Sequence, residues 1–266
     1  MNKRKVKRKL GSFTQTLITV LVIAFIYIPI VVMICFSFND QRANTEWIGF
    51  TTRWYTELFS DRTMGEVIGN TLITGIGSTV LSVVIGTIGA VGLTRFHFKG
   101  KSVISNALYV PMVIPEIVLA VALLSIFTAL EIPLGLTVII LGHTTLTLPF
   151  VFIEVKTALS NYDQALEEAA MDLGANRRKT FFKVTLPMIM PGIMSGAFLA
   201  FSLSLDDLMI TSFLSGADST TLPVLIYSQV KIGISPEVNV LYTFIIGILF
   251  LGILISRIVS KIRSSK

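Results

Sequence analysis

The sequence predicts an all-α integral membrane protein with six transmembrane helices, and three observations carry that prediction. Of its 266 residues 53% are hydrophobic and only 14% charged, and the mean hydropathy is +0.77, a balance far from that of a soluble domain. The apolar residues fall into six runs, each long enough to cross a hydrocarbon core of about 30 Å. The basic residues fall between those runs on alternate sides. With the amino terminus inside, eighteen of the 22 Lys and Arg lie on inner segments, leaving Arg42, Arg53, Arg62 and Lys231 outside. That is the positive-inside bias, so the net charge of +6 marks orientation in a membrane and not a nucleic-acid footprint.

Taken in order, residues 1–16 form a basic, cytoplasmic amino terminus, with six Lys and Arg and no acid before Gly11. The first run, Leu17 to Phe38, follows a basic start as a signal peptide would. It is too long for such a segment and lacks a small-x-small cleavage site, so it reads as a retained span. Cys35 inside it has no partner for a disulfide and is expected to be buried in packing. In the external loop Asn39 to Gly65, Trp47, Trp54 and Tyr55 are expected to be interfacial anchors, with a share in docking an external protein. Span two, Val67 to Leu93, sets Thr74, Ser78, Ser82, Gly86 and Ala90 four residues apart, a ridge of small side chains that admits a close helix. Span three, Val103 to Leu130, contains Pro111 and Pro115 and should kink, with Glu116 directly after the second proline. Span four, Ile132 to Val155, carries His143 among threonines, a hydrogen-bonded packing residue in preference to a ligand. Span five, Met188 to Ser215, presents Asp206 and Asp207, and span six runs from Val238 to Ser260.

The inner segment between spans four and five, residues 156–187, is the charged interruption in this chain. Leu166, Ala169, Ala170 and Leu173 have i, i+3, i+4, i+7 spacing, which predicts a short helix with one apolar stripe, Glu167, Glu168 and Asp172 being turned away from it. Asn161 with Gln164 is read as its cap and Gly174 as its left-handed stop. A second helical turn from Arg177 runs through Phe181 and Phe182 to Pro187. Glu168-Ala169-Ala170, Gly174, Val184, Leu186 and Pro187 match the pattern E-A-A-x3-G-x9-I-x-L-P, with Val for Ile. In this the segment resembles the EAA loop of the membrane subunits of ATP-binding-cassette (ABC) importers. The resemblance implies a type I, MetI-like permease fold over residues 17–266, with 156–187 as the coupling loop. It implies that Leu166, Glu168, Ala169, Ala170, Leu173, Gly174, Leu186 and Pro187 serve ATPase coupling.

The resemblance extends along most of the chain. Residues 202–216, SLSLDDLMITSFLSG, and 220–240, TTLPVLIYSQVKIGISPEVNV, are similar to the second membrane subunit of spermidine/putrescine importers. By that likeness the partners are a homologous second permease, two ABC ATPase subunits, an external polyamine-binding protein and the lipid bilayer of a bacterial plasma (inner) membrane, and no nucleic acid. The chain has no Gly-x4-Gly-Lys phosphate loop, so no cofactor is expected on it, ATP and Mg belonging to the partner ATPase. Carboxylates inside an apolar span are costly and mark a pathway or a paired charge. Asp206, Asp207 and Glu116 are the candidates to replace water around a polyamine's ammonium groups, with the two aspartates about 100° apart if their helix is continuous. The alternative for the aspartates is a position near headgroup water. A cationic vitamin or a metal ion would suit the same acids, and an intramembrane enzyme is the competing class, disfavoured by two dispersed histidines and no catalytic motif.

Overall fold

A computed structural model describes residues 3–41, 46–232 and 236–264. Arg42, and Gly233 to Ser235 of the second similar stretch, lie outside the described residues. In chain order the helices are α1 (Lys3–Phe36), α2 (Arg53–Ser60), α3 (Arg62–Arg95), α4 (Lys101–Ala107), α5 (Val110–Val113), α6 (Glu116–Ala129) and α7 (Leu136–Ser160). After the inner loop's α8 (Ala165–Asp172) come α9 (Arg177–Thr180), a π-turn (Phe181–Thr185), α10 (Leu186–Asp206), α11 (Met209–Leu214), α12 (Leu222–Ile232) and α13 (Pro236–Ser264). Among the described residues there is no strand, only an isolated bridge between Asn39 and Phe50.

Four described helical segments are long and apolar enough to cross a membrane: Thr14–Phe36, Arg62–Arg95, Leu136–Ser160 and Arg177–Asp206. They correspond to expected spans one, two, four and five, the last ending at Asp206 and not at the expected Ser215. Span three departs from expectation in degree, for α4–α5 and α6 meet at an angle of 112°. Pro111 sits in the first turn of α5 and Pro115 precedes α6 in extended conformation (φ −54°, ψ 133°), so the backbone turns between the two prolines instead of bending around them. Span six is present as α13, whose apolar stretch is the shorter Pro236–Gly252.

The chain divides into two units, residues 1–64 with 228–266, and residues 65–227. In the first, α1 packs against α13 and α13 against α2. Here Trp54 and Cys35 correct the sequence reading. Trp54 is 1% exposed, and its indole N–H donates to the Asn39 carbonyl at 2.7 Å, so it is a core residue and not an interfacial anchor. The Arg53 guanidinium covers the indole ring at 4.3 Å. Tyr55 bonds to Ser37 at 2.9 Å, while Trp47 remains exposed. Cys35 is exposed on α1, whose apolar residues point in all directions and leave it no single packed face.

The second unit is built around α7, which packs on α10 along one side and on α6 and α11 along the other. Val151, Phe152 and Val155 meet Ile189, Ile193, Ala200 and Ala90 in one buried cluster; Val138 and Ile139 meet Ile210, Leu214, Leu119 and Phe127 in a second. The small-residue ridge of α3 works as the spacing predicts, with Thr74, Ser78, Ser82 and Ala90 all buried. Where lipid is as apolar as leucine, such close packing and interhelical hydrogen bonds hold the helices together. Ser82 bonds to Thr147 at 2.7 Å and Ser78 to Ser204 at 3.0 Å. Gly192 lets α10 approach α7 so closely that a Cβ there would lie 2.5 Å from the Ala158 Cβ.

Candidate functional site

Two breaks in membrane helices meet at one place. The first is at Ile114 and Pro115, from which α6 begins with Glu116. The second corrects the sequence reading: span five is not continuous through its aspartates. α10 ends at Asp206, Asp207 is extended (ψ 121°), and α11 starts at Met209. No proline or glycine causes this break. Asp207 causes it by serving the next helix, its Oδ1 accepting from the Thr211 N–H at 2.9 Å and the Thr211 hydroxyl at 3.2 Å. The 100° relation expected for neighbours on one helix therefore does not apply. Asp207 is 4% exposed and Asp206 lies on the exposed side of the α10 terminus.

From α7, His143 reaches the same carboxylate. Its Nε2 lies 3.0 Å from Asp207 Oδ1 and 2.9 Å from the Thr211 hydroxyl, and its Nδ1 lies 2.6 Å from Ser204 Oγ. A proton on Nε2 and an acceptor at Nδ1 satisfy all three contacts, with Ser78 donating onward to Ser204. Asp207 Oδ2 is buried and meets no N–H or hydroxyl donor, and the half-buried Glu116 carboxyl lies within hydrogen-bonding reach of the Asp207 carboxylate. Ser204, His143 and Asp207 have the connectivity of a nucleophile–base–acid relay, but Ser204 is 3% exposed and committed to Ser78, so no acyl substrate can reach it. His143 is thus the hydrogen-bonded residue its threonine neighbours suggest. The partners that matter, Ser204 and Asp207, lie more than sixty residues away and left no local signal.

The inner loop forms the second candidate region. α8 spans eight residues, and Gly174 adopts φ +88° at its end, the left-handed stop the spacing predicts. The start differs from expectation. Asn161 belongs to the end of α7, and Asp163 Oδ1 accepts from the Ala165 N–H at 3.0 Å in place of an Asn161–Gln164 cap. Leu166 is 46% and Leu173 90% exposed, with Glu168 and Ala169 also on the surface and Ala170 half-buried. The apolar stripe thus faces outward. Glu167 turns inward instead, its carboxylate pairing with Arg95 and accepting from the Thr185 hydroxyl at 2.6 Å. Nearby, burial pushes the Tyr162 phenol up from its ordinary pKa, and the Glu167 charge adds to the effect. Leu186 and Pro187 are apart from the stripe, at the head of α10. The π-turn before them carries an i→i−5 bond from Leu186 N–H to the Phe181 carbonyl, a register change next to a proline that has no N–H to give.

A bundle with broken helices around intramembrane carboxylates, and a loop helix whose apolar face points away from its own chain, defines a transport subunit that works within a larger assembly. Residues 82–264 match the binding-protein-dependent transport system inner membrane components, and the chain belongs to that family. It is 41% identical over 240 residues, 88% of this chain and 85% of the relative, to the putrescine transport system permease protein PotI of Escherichia coli (strain K12). It is 38% identical over 238 residues, 90% of each chain, to the spermidine/putrescine transport system permease protein PotC of the same organism. The crystal structure of a bacterial ABC transporter involved in the import of the acidic polysaccharide alginate superposes with a TM-score of 0.72 at 17% identity, over 98% of each chain. The fold is that of a type I ABC importer permease, and the chain is a multi-pass inner-membrane permease subunit, not an enzyme.

Proposed function

We propose that this permease carries polyamines of the putrescine and spermidine class into the cytoplasm, receiving them from an external binding protein. It does so beside a homologous second permease and above two ATPase subunits that bind ATP and Mg. The observation that carries the substrate reading is the meeting of the Glu116 and Asp207 carboxyls, within hydrogen-bonding reach of each other, at two facing helix breaks. An ammonium group sheds its hydration only where carboxylates replace the water, and broken helices at membrane depth are tolerated where they line a cavity. Holding must stay loose for the substrate to leave, which suits a half-buried Glu116 better than a closed cage. The putrescine and spermidine/putrescine permeases at 41% and 38% identity support the same class.

The positive-inside distribution supports cytoplasmic termini and a cytoplasmic coupling loop. There the outward stripe of Leu166, Ala169 and Leu173, with Glu168 and Ala170, docks the ATPase, and Gly174, Leu186 and Pro187 set its angle to α10. The test is uptake of radiolabelled putrescine by vesicles holding the full complex and the loaded binding protein. Glu116→Gln is expected to slow uptake by at least about tenfold, from the loss of one desolvated charge partner. Wild-type uptake in that variant would remove the acids from the substrate reading.

A further inference from the structure

We infer that Glu167 is a positioning residue, a latch that fastens the coupling helix to the chain's own second and fifth spans through one carboxylate oxygen. The inference rests on residues 156–187 being the ATPase-coupling loop, and it adds how that loop is tied to the membrane helices. Glu167 Oε1 takes both the Arg95 guanidinium and the Thr185 hydroxyl. Arg95 is the last residue of α3, Thr185 the last of the π-turn that continues into α10, and Glu167 lies in α8. One atom therefore joins three elements that are 72 and 18 residues apart in sequence.

The surroundings favour such a tie. Side-chain exposures of 22% for Arg95 and 15% for Glu167 place the pair where water screens it less than a surface pair, yet where neither charge is stripped of solvent. Arg95 also stands at the carboxyl end of α3, where the helix dipole favours a cation. A cavity of about 350 Å³ flanks the pair, lined also by Met171, Arg177 and Phe181, so apolar packing does not fill the space between α8 and the end of α3. The backbone of α8 packs against the π-turn and α9, and Glu167 extends that attachment to α3. With Leu166 and Leu173 pointing out and Glu167 pointing in, a push on the outer face reaches two membrane helices at once.

The test uses the full complex in vesicles, reading ATPase co-purification and putrescine uptake per ATP hydrolysed. Glu167→Gln and Arg95→Gln are each expected to lower uptake per ATP at least about tenfold while the ATPase subunit still co-purifies, within the usual range of site-to-site coupling. The exchange Arg95→Glu/Glu167→Arg should return it to within about threefold of wild type, since contacting residues are non-additive. Wild-type coupling in both single variants overturns the latch, as does an exchange no better than the worse single variant. Should a charged-site variant fail to accumulate, Thr185→Val decides, because it removes one of the two contacts at nearly constant size. An uptake-per-ATP ratio about threefold lower supports the latch and an unchanged ratio overturns it. Glu168→Lys and Leu173→Asp test the underlying reading: if both leave docking and coupling intact, the loop is not the ATPase contact. If they uncouple the complex while the Glu167 variants are silent, the latch alone fails.

Discussion

Asp207→Asn should impair uptake far more than Asp206→Asn, because the two neighbours stand in different surroundings. Asp207 is 4% exposed and holds three donors on Oδ1, from Thr211 N–H at 2.9 Å, the Thr211 hydroxyl at 3.2 Å and His143 at 3.0 Å. Its Oδ2 is buried with no N–H or hydroxyl donor, and the Glu116 carboxyl is within hydrogen-bonding reach of the carboxylate. An ammonium about 4 Å from a carboxylate is held by about 4 kcal/mol at an effective dielectric near 20, against about 1 kcal/mol in bulk water. That difference of about 3 kcal/mol corresponds to roughly two orders of magnitude in occupancy, part of which is offset by stripping water from the ammonium. The expected losses in initial rate are therefore about 30-fold for Asp207→Asn and under about fivefold for Asp206→Asn. Asparagine keeps an acceptor for Thr211, so the helix break itself should survive. The assay is radiolabelled putrescine uptake with loaded binding protein, with a single symmetric elution peak and ATPase co-purification as the folding controls. Equal losses in the two variants, or full uptake in Asp207→Asn, would refute the reasoning.

Gly174→Val should uncouple ATP hydrolysis from uptake and lower stability by about 1–2 kcal/mol, since φ +88° forces a branched Cβ against its own backbone; uptake per ATP and the thermal midpoint in detergent check it. Gly192→Ala should cost about 1–3 kcal/mol by pushing α10 away from α7, where the new Cβ would meet the Ala158 Cβ at 2.5 Å and the Glu154 carbonyl at 2.9 Å; an unchanged melting midpoint would contradict that packing. His143→Ala should lower thermal stability more alone than in company with Asp207→Asn, because the single change leaves a buried carboxylate without its imidazole; a double-variant cycle on the melting midpoints in detergent should show a coupling of about 1–3 kcal/mol. Trp54→Phe should destabilise by about 1–3 kcal/mol through the orphaned Asn39 carbonyl, read as a lower midpoint with no change in substrate preference.

What local pattern dictates was legible in the sequence. The left-handed stop at Gly174, the small-residue ridge on α3 and four of the six spans follow from spacing and composition, which act within a turn or along one helix face. What distant partners dictate was not. Nothing near Asp206 and Asp207 announces a helix end; the break exists because Thr211 and His143 give Asp207 better hydrogen bonds than α10 would by continuing. Trp54 looked like a membrane-surface anchor because Asn39, its partner, lies in the preceding loop. For Glu167 the helical pattern indicated the face opposite the stripe but not that this face is the inner one, which Arg95 decides from 72 residues away. Pro111 and Pro115 mark a kink; the 112° turn comes from Ile114 and Pro115 adopting extended conformations between α5 and α6.

The π-turn at Phe181–Thr185 does not end its helix, and this gives the molecule a mechanical property. From Arg177 to Asp206 the chain runs helically for 30 residues. At 1.5 Å per residue that is a rod of about 45 Å, with a basic end in the inner loop and an acidic end at the break. A tilt of about 10° pivoting on the Arg177 end would sweep the Asp206 end through about 8 Å, more than the width of an ammonium group with its contacts. A small rotation in the loop is thereby a large displacement among the membrane carboxylates, less the bend taken up at the π-turn and at Pro191 inside α10.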